Sequence, residues 1–413
     1  MRKEVFINNR KRLYQTLEDN SLVILFAGQA PKKSADQSYI FTPNRNFYYM
    51  TGIDEPIHVM GLSKINDNIN EKLFVKKPDP EMEKWYGKTI RKDEATKVSG
   101  IDDIEYLEDF ENVIHSLIVT SKVENIYLDL ERDSFEERTT LTESFAKKII
   151  RKYPYIKVKN IYDSICNLRL VKCEEEIQEI RKAIDITIGG VEMMMKKATP
   201  KMKENELEAY FDFVYKTKGA KDVAFKNIVA SGVNGSILHY VDNNCEIKDN
   251  ELVLFDVGAQ LNYYNGDISR TIPANGKFTE RQKEVYNAVL YVNETIIKDI
   301  KPGANWGDLN QKANDLLAEK MIELGLITDK KDYRKYYWHS IGHSLGLDDH
   351  DVGPRWIDLK PGMVVTVEPG LYIEEECIGI RIEDDILVTK NGNENLTKNI
   401  VKSIEDIEEF MKK

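Results

Sequence analysis

Cysteine and histidine are both scarce, with four of one and six of the other among 413 residues. The cysteines, Cys166, Cys173, Cys245 and Cys377, form no Cys-x-x-Cys pair. A chain this long builds its core without staples, so these sparse thiols exclude a disulfide scaffold and fit a reducing cytoplasm. Long apolar runs are also missing. The longest, LVILFA at 22–27, falls far short of the ~20 residues that span a bilayer. The opening MRKEVFINNRKRL has no apolar stretch, so no secretory leader is expected. Positive charge is in deficit: 59 basic against 70 acidic side chains leave a net charge of −11. Nucleic acids and anionic membranes want a basic face, so neither is expected as a partner. The acidity serves solubility. Repeats of solenoid length and low-complexity tracts are absent, which excludes arrays and fibres.

What is present is globular. Hydrophobic residues make up 41% and charged residues 31%, and the length points to two domains. In the first part LVILFA (22–27), NIYLDL (125–130) and IKVKNI (156–161) read as buried strands, with a helix over 131–153 between the last two. Strand–helix–strand predicts an α/β domain around a central sheet. RLVKCEEEIQEIRKAIDITIGGVEMMMKKA (169–198) then opens a helix on an acidic first turn, which suits the positive end of a helix dipole. A boundary just before it gives domains of 1–168 and 169–413. The second part carries further helical patterns at 205–217, 279–300 and 306–326, and β segments at 251–261, 363–373 and 378–389.

Those β segments hold the chemistry. Asp256 sits in the apolar run ELVLFDVGAQL, where an unpaired carboxylate is costly. Asp267 follows eleven residues later. A hairpin turning around Leu261 and Asn262 places the two acids opposite each other on one face. Asn265-Gly266 is a competing turn signal; a turn there would leave Asp256 about 26 Å from its partner. In MVVTVEPGLYIEEECIGIRIEDDILV, a turn between Glu375 and Glu376 sets Glu368 opposite Glu383. Two hairpins that each present a facing acid pair favour the first register. Four converging carboxylates repel one another and need a cation. Oxygen donors favour Mg, Ca or Mn, and an added imidazole moves the choice toward Mn, Fe or Co. Two bridged metals can hold a hydroxide for hydrolysis. A bland reading stands beside this one: Asp256 tied to backbone donors or a lysine, and Glu383-Asp384-Asp385 a charged, solvated strand end.

Half the histidines, His339, His343 and His350, fall within WHSIGHSLGLDDHDVG (338–353). His339 and His343 have the HxxxH spacing of zinc proteases, but Ser340 stands where those need glutamate, and Gly342 and Gly346 weaken a helix.

Read together, SILHY (236–240), LFDVGAQLNYYNGDISRTIPANGKFT (254–279), HSIGHSLGLDDHDVG (339–353), VEPGLYI (367–373) and GIRIEDD (379–385) resemble, in order, the pita-bread metallopeptidases, and aminopeptidase P most closely. FTPNRNFYYMTGIDEP (41–56) is similar to the amino-terminal domain of the same family. The resemblance implies an α/β amino-terminal domain with a mixed central sheet and a pseudo-two-fold α+β, pita-bread catalytic domain. It implies five metal ligands, Asp256, Asp267, His343, Glu368 and Glu383, around two divalent ions, Mn2+ first, with Co2+, Fe2+ or Zn2+ as substitutes. Asp267 and Glu383 would touch both ions. Glu368 would also serve as general base for a hydroxide held between the metals, with His350 and His239 assisting catalysis. His239, His339 and His350 would line the proline pocket and polarise the scissile carbonyl, with Tyr372 and Arg381 as pocket or supporting residues. For Arg381 a structural ion pair is the equal alternative. The implied substrates are peptides with proline in second position, and the implied assembly is a homodimer or homotetramer. Prolidase, which cuts Xaa-Pro dipeptides with the same ligands, is the nearest rival. A metal-free creatinase-like hydrolase and a non-catalytic pita-bread binding protein would both lack the ligands.

Overall fold

The computed structural model describes residues 1–132, 134–354 and 356–412. They separate into two compact units, Met1–Arg169 and Leu170–Lys413.

The first unit is built on six strands: β1 (Ser21–Phe26), β2 (Val59–Ile65), β3 (Asn68–Val75), β4 (Ile104–Tyr106), β5 (Asn125–Leu128) and β6 (Lys157–Asn160). Their order is β4-β3-β2-β1-β5-β6. The sheet is mixed: β1–β2 and β2–β3 run antiparallel, and β1–β5, β5–β6 and β3–β4 parallel. LVILFA becomes the central strand because a strand flanked on both edges and covered on both faces needs an unbroken apolar run. IKVKNI departs from expectation. As β6 it is an edge strand with Lys157 and Asn160 exposed, which suits its lysines. The helix expected over 131–153 is shorter, α1 (Leu141–Lys152). Thr140 and Glu143 form a reciprocal capping box that fixes its start. The described residues of 131–140 lie outside it, and Asp133 lies outside the described residues.

The second unit has four long helices, α2 (Glu174–Lys197), α3 (Glu204–Thr217), α4 (Glu280–Asp299) and α5 (Trp306–Glu323). Its strands include β7 (Ile228–Ser231), β8 (Leu252–Val257), β9 (Ala259–Leu261), β10 (Tyr264–Asn265), β11 (Ile268–Pro273), β12 (Val364–Val367), β13 (Gly370–Ile373), β14 (Ile378–Arg381), β15 (Asp384–Thr389) and β16 (Gly392–Asn395). Two long hairpins carry the expected acids. In the first, β8 and β9 run out and β10 and β11 return. In the second, β12 and β13 run out and β14 and β15 return. Helix α2 packs on α3 and the first hairpin, and α4 on α5 and the second. This is an approximate duplication of one helix-pair-and-hairpin unit.

The registers settle the competing turns. The first hairpin turns at Asn262-Tyr263, both left-handed with φ of 49° and 66°, the primed geometry that matches strand twist. Asp256 therefore faces Ser269, not Asp267. The expected directly opposite pair is a diagonal pair on the same face, because the turn lies one residue later than expected. Asn265-Gly266 makes no turn. The Asn265 amide donates to the Gly346 carbonyl at 3.1 Å, and a Cβ on Gly266 would come within 2.9 Å of the α2 backbone at Ile184. Its glycine serves close packing. In the second hairpin Gly370 pairs with Arg381 and Val367 with Asp384, which brackets Glu368 and Glu383 in the expected register.

Candidate metal centre and substrate cavity

Each of four acids sits where its strand ends or its ladder is interrupted. Asp256 is near the end of β8, Asp267 precedes β11, and Glu368 and Glu383 fill the breaks β12/β13 and β14/β15. The Glu368 amide donates to the Ile341 carbonyl at 2.8 Å and the Glu383 amide to the Ser269 carbonyl at 3.1 Å. Each acid is thus held by backbone bonds outside its own hairpin. His343 comes from the loop after α5. Its Nε2 lies 3.4 Å from Asp267 Oδ2 and 3.6 Å from Glu368 Oε1. Donor atoms of Asp267, His343 and Glu383 all fall within 4.8 Å of one another. His343 Nδ1 donates to the Ser344 carbonyl at 3.1 Å, which leaves Nε2 as the donor to a metal.

This donor set fits divalent cations. The Oδ1 atoms of Asp256 and Asp267 are buried with no hydrogen-bond partner, an expensive state for a carboxylate unless a cation meets it. Burial, followed by repulsion from neighbouring acids, pushes Asp267 and Glu383 well above the carboxylate range. Burial, together with Asp256 and Asp349 and against the pull of Arg381, pushes Glu368 up to about 8. The consequence for the metal-free protein follows from linkage. Between about pH 4.5 and 8 the folded state holds protons on Glu368 that the unfolded chain has lost, so unfolding is favoured as pH rises. Thermal unfolding of chelated protein is expected at lower temperature at pH 8 than at pH 5.5. Added divalent cation should flatten or reverse that slope; a chelated protein most stable at pH 8 would contradict it.

The other histidines occupy distinct places. His350 is an exposed imidazole stacked on His343, with ring centroids 4.0 Å apart and planes 24° apart. His239 is exposed and lines the same cavity. His339 lines it too, but both its nitrogens are engaged. Nδ1 lies 2.8 Å from the Ser340 carbonyl, and Nε2 lies 2.8 Å from the Tyr372 hydroxyl. Burial pushes its pKa down to about 3, so it is a neutral wall of the cavity. No nitrogen is left over to polarise a substrate carbonyl, the role the sequence reading gave it.

Tyr372 is 2% exposed and lies behind His339. It is a supporting residue, not a cavity surface. Arg381 does line the cavity, and the ion-pair alternative also holds. Its NH2 contacts Asp256 Oδ2 at 2.5 Å, its NH1 donates to the Tyr372 hydroxyl at 3.1 Å, and its Nε donates to Ser269 Oγ at 2.8 Å. Ser269 Oγ in turn donates to Glu383 at 2.8 Å. One guanidinium therefore ties ligand candidates on both hairpins.

The solvated-strand-end reading of 383–385 is overturned, because all three acids are buried. Asp384 pairs with Arg270 and Lys402, each at 2.8 Å, and those cations hold it below the usual carboxylate range against burial. Asp385 accepts the Asp267 amide at 3.1 Å. Sequence reasoning missed Asp385, and it missed Asp349, a cavity-lining acid that burial and Asp256 push up to about 7. The only sequence signal for either was an acid doubled beside a chosen residue. The cavity measures about 920 Å³. Trp306, Trp338, Trp356 and Phe225 give it aromatic walls, and Lys226 and Arg334 line it as cations.

A carboxylate-and-imidazole centre between two duplicated hairpins, open to an aromatic cavity, defines a hydrolytic metalloenzyme. Residues 178–390 match the profile of Metallopeptidase family M24, and residues 6–127 match that of Aminopeptidase P, N-terminal domain. The chain belongs to metallopeptidase family M24, with the pita-bread fold in its second unit. It is 34% identical to the Xaa-Pro aminopeptidase of Escherichia coli strain K12 across 99% of this chain and 98% of that one. The structure of a putative aminopeptidase P from Bacillus anthracis superposes with a TM-score of 0.98 at 50% identity, covering 100% of this chain and 98% of the other. Zinc-substituted Escherichia coli aminopeptidase P in complex with product superposes at 0.92 with 32% identity, over 100% and 98%. No described helix is long and apolar enough to cross a membrane.

Proposed function

We propose that this chain is an Xaa-Pro aminopeptidase, releasing the first residue of peptides whose second residue is proline. The observation that carries the reading is end-to-end similarity to Xaa-Pro aminopeptidases, joined to a donor set whose buried oxygens lack partners. Asp256, Asp267, His343, Glu368 and Glu383 would hold two divalent ions. An oxygen-rich set with one imidazole makes Mn2+ the first to test. The ions, when bound, supply Lewis acidity and a lowered water pKa.

The chain's own residues do the rest. Glu368 presents Oε1 toward His343, and Oε2 lies 3.8 Å from His339. It would take the proton of the attacking water and deliver it to the departing proline nitrogen. His350, stacked over His343 at the cavity surface, would donate to the developing oxyanion. His239 would face the substrate from the opposite loop, and the neutral His339 would form an uncharged wall for the proline ring. Arg381 keeps Asp256 oriented. The substrates would be peptides, neither nucleic acid nor membrane, and the working assembly a homodimer or homotetramer. Four free thiols suit a reducing compartment, and the protein would work in the cytoplasm.

Product analysis in Mn2+ on an Xaa-Pro dipeptide and an Xaa-Pro-Yaa tripeptide tests the reading. Release of the first residue from the tripeptide, with little cleavage of the dipeptide, is expected. Cleavage of the dipeptide alone would make the protein a prolidase. Failure on both by folded, metal-loaded protein would refute the peptidase reading, and purification without stoichiometric metal would favour a binding role.

A further inference from the structure

Glu204 is a carboxylate with no solvent exposure, remote from the metal candidates in sequence and outside every motif considered above. It is the first residue of α3. Five donors converge on it. Oε1 accepts from the Ser231 amide at 2.7 Å, from Ser231 Oγ at 2.7 Å and from Asn234 Nδ2 at 3.0 Å. Oε2 accepts from the Tyr240 hydroxyl at 2.7 Å and from the Cys245 amide at 3.0 Å. All five are uncharged. The charge is compensated by this cage and by the positive end of α3.

Every one of those donors belongs to the segment 231–245, which carries His239. The segment is pinned a second time by Asn243. Its side chain accepts from the Val229 amide at 3.0 Å and donates to the Asn227 carbonyl at 2.9 Å and to Glu208 at 3.0 Å. At its start it presses on the second hairpin, where a Cβ on Gly379 would come within 2.1 Å of the Gly235 carbonyl. Between these anchors, Leu238, His239 and Val241 line the cavity. His239 itself is exposed, so its place depends on the backbone that bears it.

We infer that Glu204 is the positioning residue for His239: its buried carboxylate fixes the 231–245 segment so that this imidazole faces the substrate. The inference rests on the peptidase reading above for what His239 touches. Glu204→Gln keeps the shape but turns an amide NH2 toward groups that themselves donate, so part of the cage must open.

The test is a double-mutant cycle of Glu204→Gln and His239→Ala, read as kcat/KM on an Xaa-Pro-Yaa tripeptide with Mn2+, together with amide hydrogen exchange. Glu204→Gln should cost up to about a hundredfold in kcat/KM, the loss that a displacement of about 1 Å can cause at a catalytic site. Metal content should stay at the wild-type level. The loss should vanish in the His239→Ala background, because both changes remove the same contact. Losses that multiply, or a wild-type rate for either single variant, would overturn the inference. If Glu204→Gln does not fold, Tyr240→Phe, which deletes one donor, carries the same cycle with a smaller loss. Exchange keeps the test independent of activity. Amides of 232–245 should gain more in exchange rate in Glu204→Gln than those of 364–389, and unchanged exchange in 232–245 would overturn the inference. Wild-type protein that cleaves no proline peptide would sink the peptidase reading alone.

Discussion

Replacing Glu368 by alanine is expected to abolish turnover and leave the protein folded. The position of Glu368 owes nothing to its side chain, because its backbone amide is held by the Ile341 carbonyl and the register is set by the flanking β12–β15 and β13–β14 pairs. What alanine removes is a cavity-facing carboxylate that, in the proposed function, is both metal donor and proton carrier. Loss of general-base action alone costs about 10²–10⁴, so kcat should fall by at least that factor. Removing an acid that burial has pushed up to about 8 also relieves repulsion, so the metal-free variant should unfold no earlier than metal-free wild type at pH 8. Steady-state kinetics and thermal unfolding, each with and without Mn2+, check both halves. Near-normal turnover would remove Glu368 from the ligand set.

Sixteen residues on, the expected effect is on folding instead. Asp384→Ala should destabilise the second unit by about 3–5 kcal/mol, the usual cost of deleting one partner of a buried ion pair. Asp384 accepts from Arg270, Lys402 and Thr397, each at 2.8 Å, and Arg270 has no solvent exposure. Alanine strands that guanidinium. Glu383→Gln, one residue away, should by contrast lower metal affinity and activity with little loss of stability. Urea unfolding of the two variants separates the roles. Equal stabilities would mean that Arg270 finds other compensation.

The acids of 383–385 show where sequence reading succeeds and where it stops. Glu383 was legible because it pairs with Glu368 about a symmetric turn, and pairing in a hairpin follows from counting. Asp384 and Asp385 look identical to it in sequence. Their partners, Arg270 and Lys402 for one and the Asp267 amide for the other, lie up to 118 residues away, and only folding brings them together. The Asn262-Tyr263 turn was misplaced by one residue for a related reason. Tyrosine in the left-handed region is unfavourable by itself, and the flanking ladder imposes it. The amino-terminal sheet was readable at its centre, where apolar runs are unbroken, and misread at β6, whose edge position depends on strand order. His339 was placed correctly in the cavity, but its neutrality comes from burial, helped by the charge of Arg381, 42 residues on.

The breaks in the two hairpins carry one more consequence. Because the Glu368 amide bonds to the Ile341 loop and the Glu383 amide bonds to Ser269 of the other hairpin, neither hairpin can fray at its centre without disturbing the other. The site therefore belongs to a single cooperative opening unit. Its slowest amides should all report the global unfolding free energy and not a ladder of local ones. Any change at these two breaks is then felt by the whole second unit at once.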